Sequence, residues 1–359
     1  MLKEGEAVPS KTPDTERWTG TFFTFLATFF FATSHVAVRY LTELEIDVDW
    51  ILFYKEIIGF SIIIPWLLLR WCQGRYRFTS RRLIIYLLLA AILCQLVGSR
   101  LQVFGFAIIG LIIVTPLLQS SMLLGIALLG RFFAGARLSR RRKIAIAILI
   151  VAVVIVSIGK EMTASGQSHG TEPVSAGLFL LAALGTITAG IAFAAYVIVL
   201  RYVVRQQWAD DNSARLSFKF RHWIGHDRHD EKQPDKQPGE RYYSPFPVTL
   251  VIGLVLAVGI VIFGILLYSK HGVEGFYNVP NVAWYAILVS GVANVAGFFF
   301  QIQGLRMTSA VQAAIIAVSQ ILVLTLIGYL YFHEAINILV IIGLVLTVYG
   351  VLTSAKPEK

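Results

Sequence analysis

Charge is scarce in this chain. Only 14% of its 359 residues are Asp, Glu, Lys or Arg, against 57% hydrophobic residues. A soluble domain carries about 25% charge and lacks the long unbroken apolar runs seen here, so a water-soluble globule is excluded. Cysteine is almost absent. Cys72 ends one apolar run and Cys94 lies inside another, which leaves neither a disulfide framework nor a sulfur metal site. Catalytic signatures are missing too: there is no HExxH, no GxSxG, no phosphate-binding glycine loop with its lysine, and no pair of carboxylates within the apolar runs for acid–base work. An enzyme is not expected, and neither a cofactor nor a metal. The apolar runs do not alternate with polar residues as the strands of a β-barrel would.

What the chain has instead is hydropathy. Its mean hydropathy is +0.71, and a helix that crosses the hydrocarbon layer needs about 20 mostly apolar residues. The pattern predicts an all-α, polytopic membrane protein with ten transmembrane helices, near 18–41, 50–71, 83–109, 111–133, 144–159, 176–202, 245–268, 282–304, 309–332 and 338–354. The net charge of +10 does not point to nucleic acid, because the basic residues sit in short loops between spans. "RWCQGRYRFTSRR" and "ARLSRRRK" fall on the same side as the N-terminus. "TELEIDVD", "SKHGVEGFYNVPN" and "HEAIN" fall on the other and are poor in Lys and Arg. The positive-inside rule then puts both termini in the cytoplasm of a cell membrane. The polar start, "MLKEGEAVPSKTPDTERW", lacks the apolar core and cleavage site of a signal peptide, so the first span is expected to be retained.

One cytoplasmic insertion, 203–244, is long, charged and Pro/Gly-rich toward its end. His222, His226 and His229 fall on one helical face there, beside Asp227 and Asp230. A solvated insertion and a metal or regulatory site are both open readings.

The chain also repeats itself. "QLVGSRLQVFG", Gln95 to Gly105, has a counterpart in "NVAGFFFQIQG", Asn294 to Gly304. Gln95, Gly98, Gln102 and Gly105 match Asn294, Gly297, Gln301 and Gly304 at intervals of three, four and three, which keeps each set on one helical face. Gln119 and Gln320 follow downstream, and "FATSHVAVRY" echoes "FAAYVIVLRY", pairing Ser34 with Tyr196. Five spans then five spans is the parse. Five is odd, so the halves enter the membrane from opposite sides as inverted repeats, an arrangement that places a substrate site between them near the midplane. The amides and hydroxyls of Gln95, Gln102, Gln119, Asn294, Gln301, Gln320, Ser34 and Tyr196 are the candidates to line it. Simple helix packing by the same residues is the competing reading.

Charged residues inside the spans need partners. Arg100 projects about 140° from Gln95, away from the amide face, and Lys55 and Glu56 reach similar depth. A Glu56–Arg100 ion pair is expected, with a carboxylate- or phosphate-holding role for Arg100 or Lys55 and a lipid-facing Arg100 as the alternatives. His35 is the one histidine well inside a span, a candidate either for proton coupling or for a hydrogen bond between helices. Trp66, Phe298 and the "FFF" runs read as packing or lipid contact.

The segment "GLRMTSAVQAAIIAVSQILVLTLIGYLYFHEAINILVIIGLVLTVYGVLTS" resembles the end of an EamA-type repeat of the drug/metabolite transporter superfamily, through "TSAVQAA", Glu334, Gly343 and Gly350. "ARLSRRRKIAIAILIVAVVIVSIG" resembles the same pattern in the first half. The chain departs from the family at Ala136, where a glutamate is usual, at Leu123 and Ile321, near which prolines are usual, and at Lys55, where arginine is frequent. The resemblance implies two repeats, 18–159 and 176–354, joined by an external linker, 160–175, with short tails at 1–17 and 355–359. It implies a secondary carrier of small polar metabolites, amino acids or related solutes, exported by alternating access. The expected partners are a small-molecule substrate and the bilayer, with a homodimer left open. The alternative is a scaffold or sensor that acts through 203–244.

Overall fold

The computed structural model describes residues 14–72, 81–134, 175–206, 246–277, 279–307, 319–334 and 336–355, with isolated positions between 144 and 155 and between 313 and 317. Among the described residues the regular structure is helical and there is no strand. The histidine-bearing part of the insertion lies outside them.

Helix α1 (Asp14–Glu43) turns tightly into α2 (Val48–Cys72). Asp47 starts α2 as a cap, its Oδ1 accepting the N–H of Asp49 at 2.8 Å and of Trp50 at 3.3 Å. The third apolar run is one span in three pieces: α3 (Arg81–Ile92), a wide π turn over Leu93–Ser99, and α4 (Arg100–Ile109). Gly110, at φ 81°, reverses the chain into α5 (Leu111–Ala134). Then follow α6 (Ala176–Gln206), α7 (Phe246–His271), α8 (Asn281–Met307), α9 (Ser319–Leu330) and α10 (Ile338–Ala355).

Among the described residues six stretches are long and apolar enough to cross a membrane: Trp18–Glu43, Val48–Leu69, Ile84–Ile109, Gly177–Leu200, Thr249–His271 and Asn281–Leu305. Leu111–Ile126, Ser319–Leu330 and Ile338–Gly350 are shorter apolar helices at three further expected spans. The remaining one, 144–159, is described only at isolated positions. Phe22, Phe29, Leu89, Leu181, Ile265 and Tyr285 are among many large apolar side chains facing outward. Such a surface is untenable in water and suits acyl chains. Trp66 belongs to it, as expected.

The helices pair reciprocally. α1 packs on α8 and α9, α6 packs on α4 and α5, and α2 lies against α7. Details repeat as well. The Phe31 ring of α1 covers Gly297 of α8, and the Phe193 ring of α6 covers Gly98. Thr24 meets Gly304, and Thr186 meets Gly105. The glycines of the two stripes therefore serve close helix approach.

The π turn corrects one expectation. In an α-helix Gln95 and Gln102, seven residues apart, would share a face. The i→i+5 spacing over Leu93–Ser99 breaks that phase. Gln95 consequently turns to α7, where its Nε2 donates to the Val255 carbonyl at 3.3 Å and its Oε1 accepts from Ser99 Oγ at 2.9 Å. Gln102 turns to the interior.

Candidate functional site

Between the two sets of helices lies a cavity of about 120 Å³. α1 contributes Thr24, Thr28, Ser34 and His35, α2 Lys55 and Glu56, and the third span Ser99, Gln102 and Phe106. Gln119 and Met122 come from α5, Phe193 and Tyr196 from α6, Asn294, Phe298 and Gln301 from α8, and Gln320 from α9. Of the predicted lining residues, Ser34, Gln102, Gln119, Tyr196, Asn294, Gln301 and Gln320 border this one space. Gln95 does not, for the reason given above. Phe298, expected in packing or lipid contact, forms part of the wall.

His35 is the hub. Its Nε2 lies 2.9 Å from Gln102 Nε2, and its Nδ1 lies 2.9 Å from Gln320 Nε2. Gln119 Nε2 donates to Gln320 Oε1 at 3.1 Å. The imidazole thus links α1 to α4, α9 and, through Gln320, α5. The Phe106 ring stands 5.4 Å from it.

Several polar atoms in this space have no partner among the described residues. They are Tyr196 Oη, Asn294 Nδ2, Gln301 Oε1 and Gln119 Oε1, all buried. Burying an amide or hydroxyl unpaired costs about 1–3 kcal/mol, so these are the groups with hydrogen-bonding capacity to offer a polar ligand. Ser34 is already satisfied, sharing a 3.0 Å contact with Ser290 Oγ and donating to the Ser290 carbonyl at 3.1 Å.

The charges resolve differently from the expected Glu56–Arg100 pair. Arg100 reaches Asp49 instead, Nε to Oδ1 at 3.0 Å and Nη2 to Oδ2 at 3.2 Å. Asp49 is 0% exposed and also meets Lys270. Asp49 was legible as an acid at a helix start but not as this partner, because the pairing depends on how α4 lies across α2. Glu56 pairs with its neighbour Lys55, Oε1 to Nζ at 3.4 Å, at the cavity wall. The expected Glu56–Arg100 pair does not form: Glu56 and Arg100 each pair with a different residue.

One end of the cavity is sealed. Glu334 accepts the Leu111 N–H at 2.7 Å on Oε1 and the Ile112 N–H at 2.8 Å on Oε2, filling the donor end of α5. Arg39 Nε lies 3.0 Å from the same carboxylate, and its guanidinium stands over the Phe332 ring. Leu41, Ile109, Leu111 and Phe332 form the apolar plug around this tie. The lining on α1 runs from Val38 back to Thr24, so the space extends from the plug toward the N-terminal end of α1.

The sequence profile of the EamA-like transporter family matches residues 18–158 and 239–355. The chain belongs to the EamA-like transporter family. It is therefore a multi-pass membrane protein and a membrane transporter of the drug/metabolite superfamily. Among curated proteins none matches this EamA-like chain. A solved structure described as "Crystal structure of protein" is similar to it in fold, with a TM-score of 0.55 at 14% identity, covering 94% of this chain and 96% of that one.

Proposed function

We propose that this EamA-like protein is a secondary transporter of small polar metabolites, amino acids or related solutes, which it exports by alternating access. One observation carries the reading: a cavity between the two sets of helices, bordered by buried amides and a phenol without partners among the described residues. Lys55 and Glu56 pair with each other on one wall at 3.4 Å, which leaves the amides and hydroxyls to meet a polar solute. The reciprocal packing of α1 on α8 and α6 on α4, with the matched Phe31–Gly297 and Phe193–Gly98 contacts, supports ten spans arranged as two inverted five-helix repeats. In that frame both termini are cytoplasmic. The Glu334–Arg39 tie closes the outer end, and the cavity belongs to the inner one.

His35 is the candidate for proton coupling, since its ring bridges both halves. Flux in proteoliposomes tests the reading. Gln301→Ala, which removes an unpartnered oxygen from the wall, is expected to abolish counterflow while melting within a few degrees of the parent. Equal loss of fold and flux would make the cavity a packing feature. Deleting residues 207–244 should leave flux intact; a scaffold or sensor working through that insertion would lose its output instead.

A further inference from the structure

We infer that His35 sets the hydrogen-bond polarity of the cavity, so that a proton on its ring and a carboxylate in the cavity bind together. This rests on the transporter reading and names the chemical group which that site takes.

A neutral imidazole has one N–H and one bare nitrogen. Both ring nitrogens of His35 face a glutamine amide at 2.9 Å, and amide oxygen and nitrogen can exchange places by a half-turn. When Gln320 donates to Nδ1, the N–H at Nε2 requires Gln102 to present its oxygen. Gln102 then offers its NH2 to the cavity, and Gln119 offers the bare Oε1 it has in the structure. Reversing the chain exchanges the two ends. Either way the neutral ring yields one donor and one acceptor.

Protonation changes the count. Both ring nitrogens then donate, so Gln102 and Gln320 must both present oxygens. The freed NH2 of Gln320 turns to the oxygen of Gln119. Gln102 and Gln119 are left offering two NH2 groups, the pattern that suits a carboxylate.

The surrounding charges set what a proton there costs. α2 brings Lys55, which opposes a proton on the ring, and Glu56, which pairs with Lys55 at 3.4 Å, while α6 brings the uncharged Tyr196. Among the described residues the lining from α4, α5, α8 and α9 is uncharged. A proton on His35 therefore leaves the cavity at about +1, and a carboxylate restores neutrality in a medium where net charge is costly. By linkage each of the two must strengthen the other's binding by the same factor.

The test uses the full chain in lipid nanodiscs with 15N-labelled histidine, His35 being assigned by the signals missing from His35→Gln. The probes are acetate and lactate, with acetamide and lactamide as uncharged isosteres, over roughly pH 5.5 to 7.5. The carboxylates should convert the His35 ring from one protonated nitrogen to two, at a pH where the amides leave it with one. Carboxylate affinity, read by thermal stabilisation, should rise up to tenfold per unit fall in pH and lose that dependence in His35→Gln. Should His35→Gln not fold, Gln119→Leu removes the second donor and must remove the acid-dependent part. A ring that keeps a single N–H with all four probes, or amides that act as the carboxylates do, overturns the inference. Counterflow with no co-moving proton would sink it while leaving the transporter reading standing. Absent flux alongside intact proton–carboxylate linkage would do the reverse.

Discussion

Replacing Glu334 with alanine isolates the tie at the sealed end of the cavity. The side chain is 11% exposed and makes three contacts: two backbone N–H groups at 2.7 and 2.8 Å and Arg39 at 3.0 Å. A hydrogen bond to a charged group contributes about 1.5–3 kcal/mol. The anion also sits on the positive end of α5, which adds up to about 2 kcal/mol where partly buried. Arg39, 14% exposed, would keep Glu43 at 3.3 Å as its one acidic partner, with the Thr42 hydroxyl and the Phe332 ring beside it. Breaking one partner of a buried pair typically costs about 3–5 kcal/mol, and these contributions overlap, so that range is the expected loss for Glu334→Ala. Glu334→Gln can still accept one N–H and should lose about half as much. For a chain of this size the alanine variant should melt about 5–10 °C lower in detergent, read as tryptophan fluorescence at a fixed scan rate because unfolding need not reverse. A drop below about 1 °C would show that the tie holds nothing.

Three further outcomes follow from the same geometry. Asp47 is pushed up by burial but held below its usual carboxylate range by Lys270, the N–H groups of Asp49 and Trp50, and His271; a lowered folded value stabilises above the unfolded pKa of 3.8 and fades below it. Asp47→Asn should therefore lower the melting point at pH 7, and the gap to the parent should close as the pH falls below 3.8. A Cβ at Gly190 would lie 2.6 Å from the Leu118 carbonyl oxygen and 2.9 Å from the Met122 nitrogen. Because those are backbone atoms, Gly190→Ala should part α5 from α6 and cost about 1–3 kcal/mol, whereas Gly177→Ala, which meets nothing within 4 Å, should leave the melting curve unchanged. Arg100→Gln leaves Asp49 to Lys270 alone and should lower the melting point without touching the cavity wall, so flux per folded molecule should hold.

The apolar helices and several residues that border the cavity were legible because each rests on a local signal: run length, residue spacing or an amide in an apolar run. Gln102 and Gln301, matched in sequence, border one space. The failures share a cause. Gln95 was assigned to the lining by assuming 3.6 residues per turn, and no local signal in "LCQLVGS" announces the π turn that rotates it away. The Arg100–Asp49 pair joins residues 51 apart, and the Glu334 cap on α5 joins residues 223 apart. Depth in the membrane can be estimated from sequence, but azimuth around the bundle cannot, and azimuth decides which of two acids an arginine meets. Thr24 and Thr28 were passed over for the opposite reason. Each hydroxyl bonds its own helix four residues back, which makes a cavity threonine indistinguishable in sequence from a buried one.

The two ends of the cavity should differ in strength, and the sequence supplies the reason. Glu334 lies in "HEAIN", and in the matching place of the first half the chain has Ala136 in "ARLS". Under the inverted symmetry and orientation proposed above, a glutamate at 136 would tie the inner end as Glu334 would tie the outer one. Alanine carries no carboxylate, so position 136 cannot supply the contact that Glu334 makes. A difference of about 3 kcal/mol between the ends corresponds to more than a hundredfold bias toward inner opening. Installing the group should undo it. In a Cys72→Ser background, Thr28→Cys reports the inner approach and Val38→Cys the outer one, each through labelling by a membrane-impermeant maleimide. Adding Ala136→Glu should slow labelling at Thr28→Cys from the inner side. Adding Glu334→Ala should speed labelling at Val38→Cys from the outer side. If Ala136→Glu folds normally and leaves both rates unchanged, the ends are not related by the repeat, and the bias has another origin.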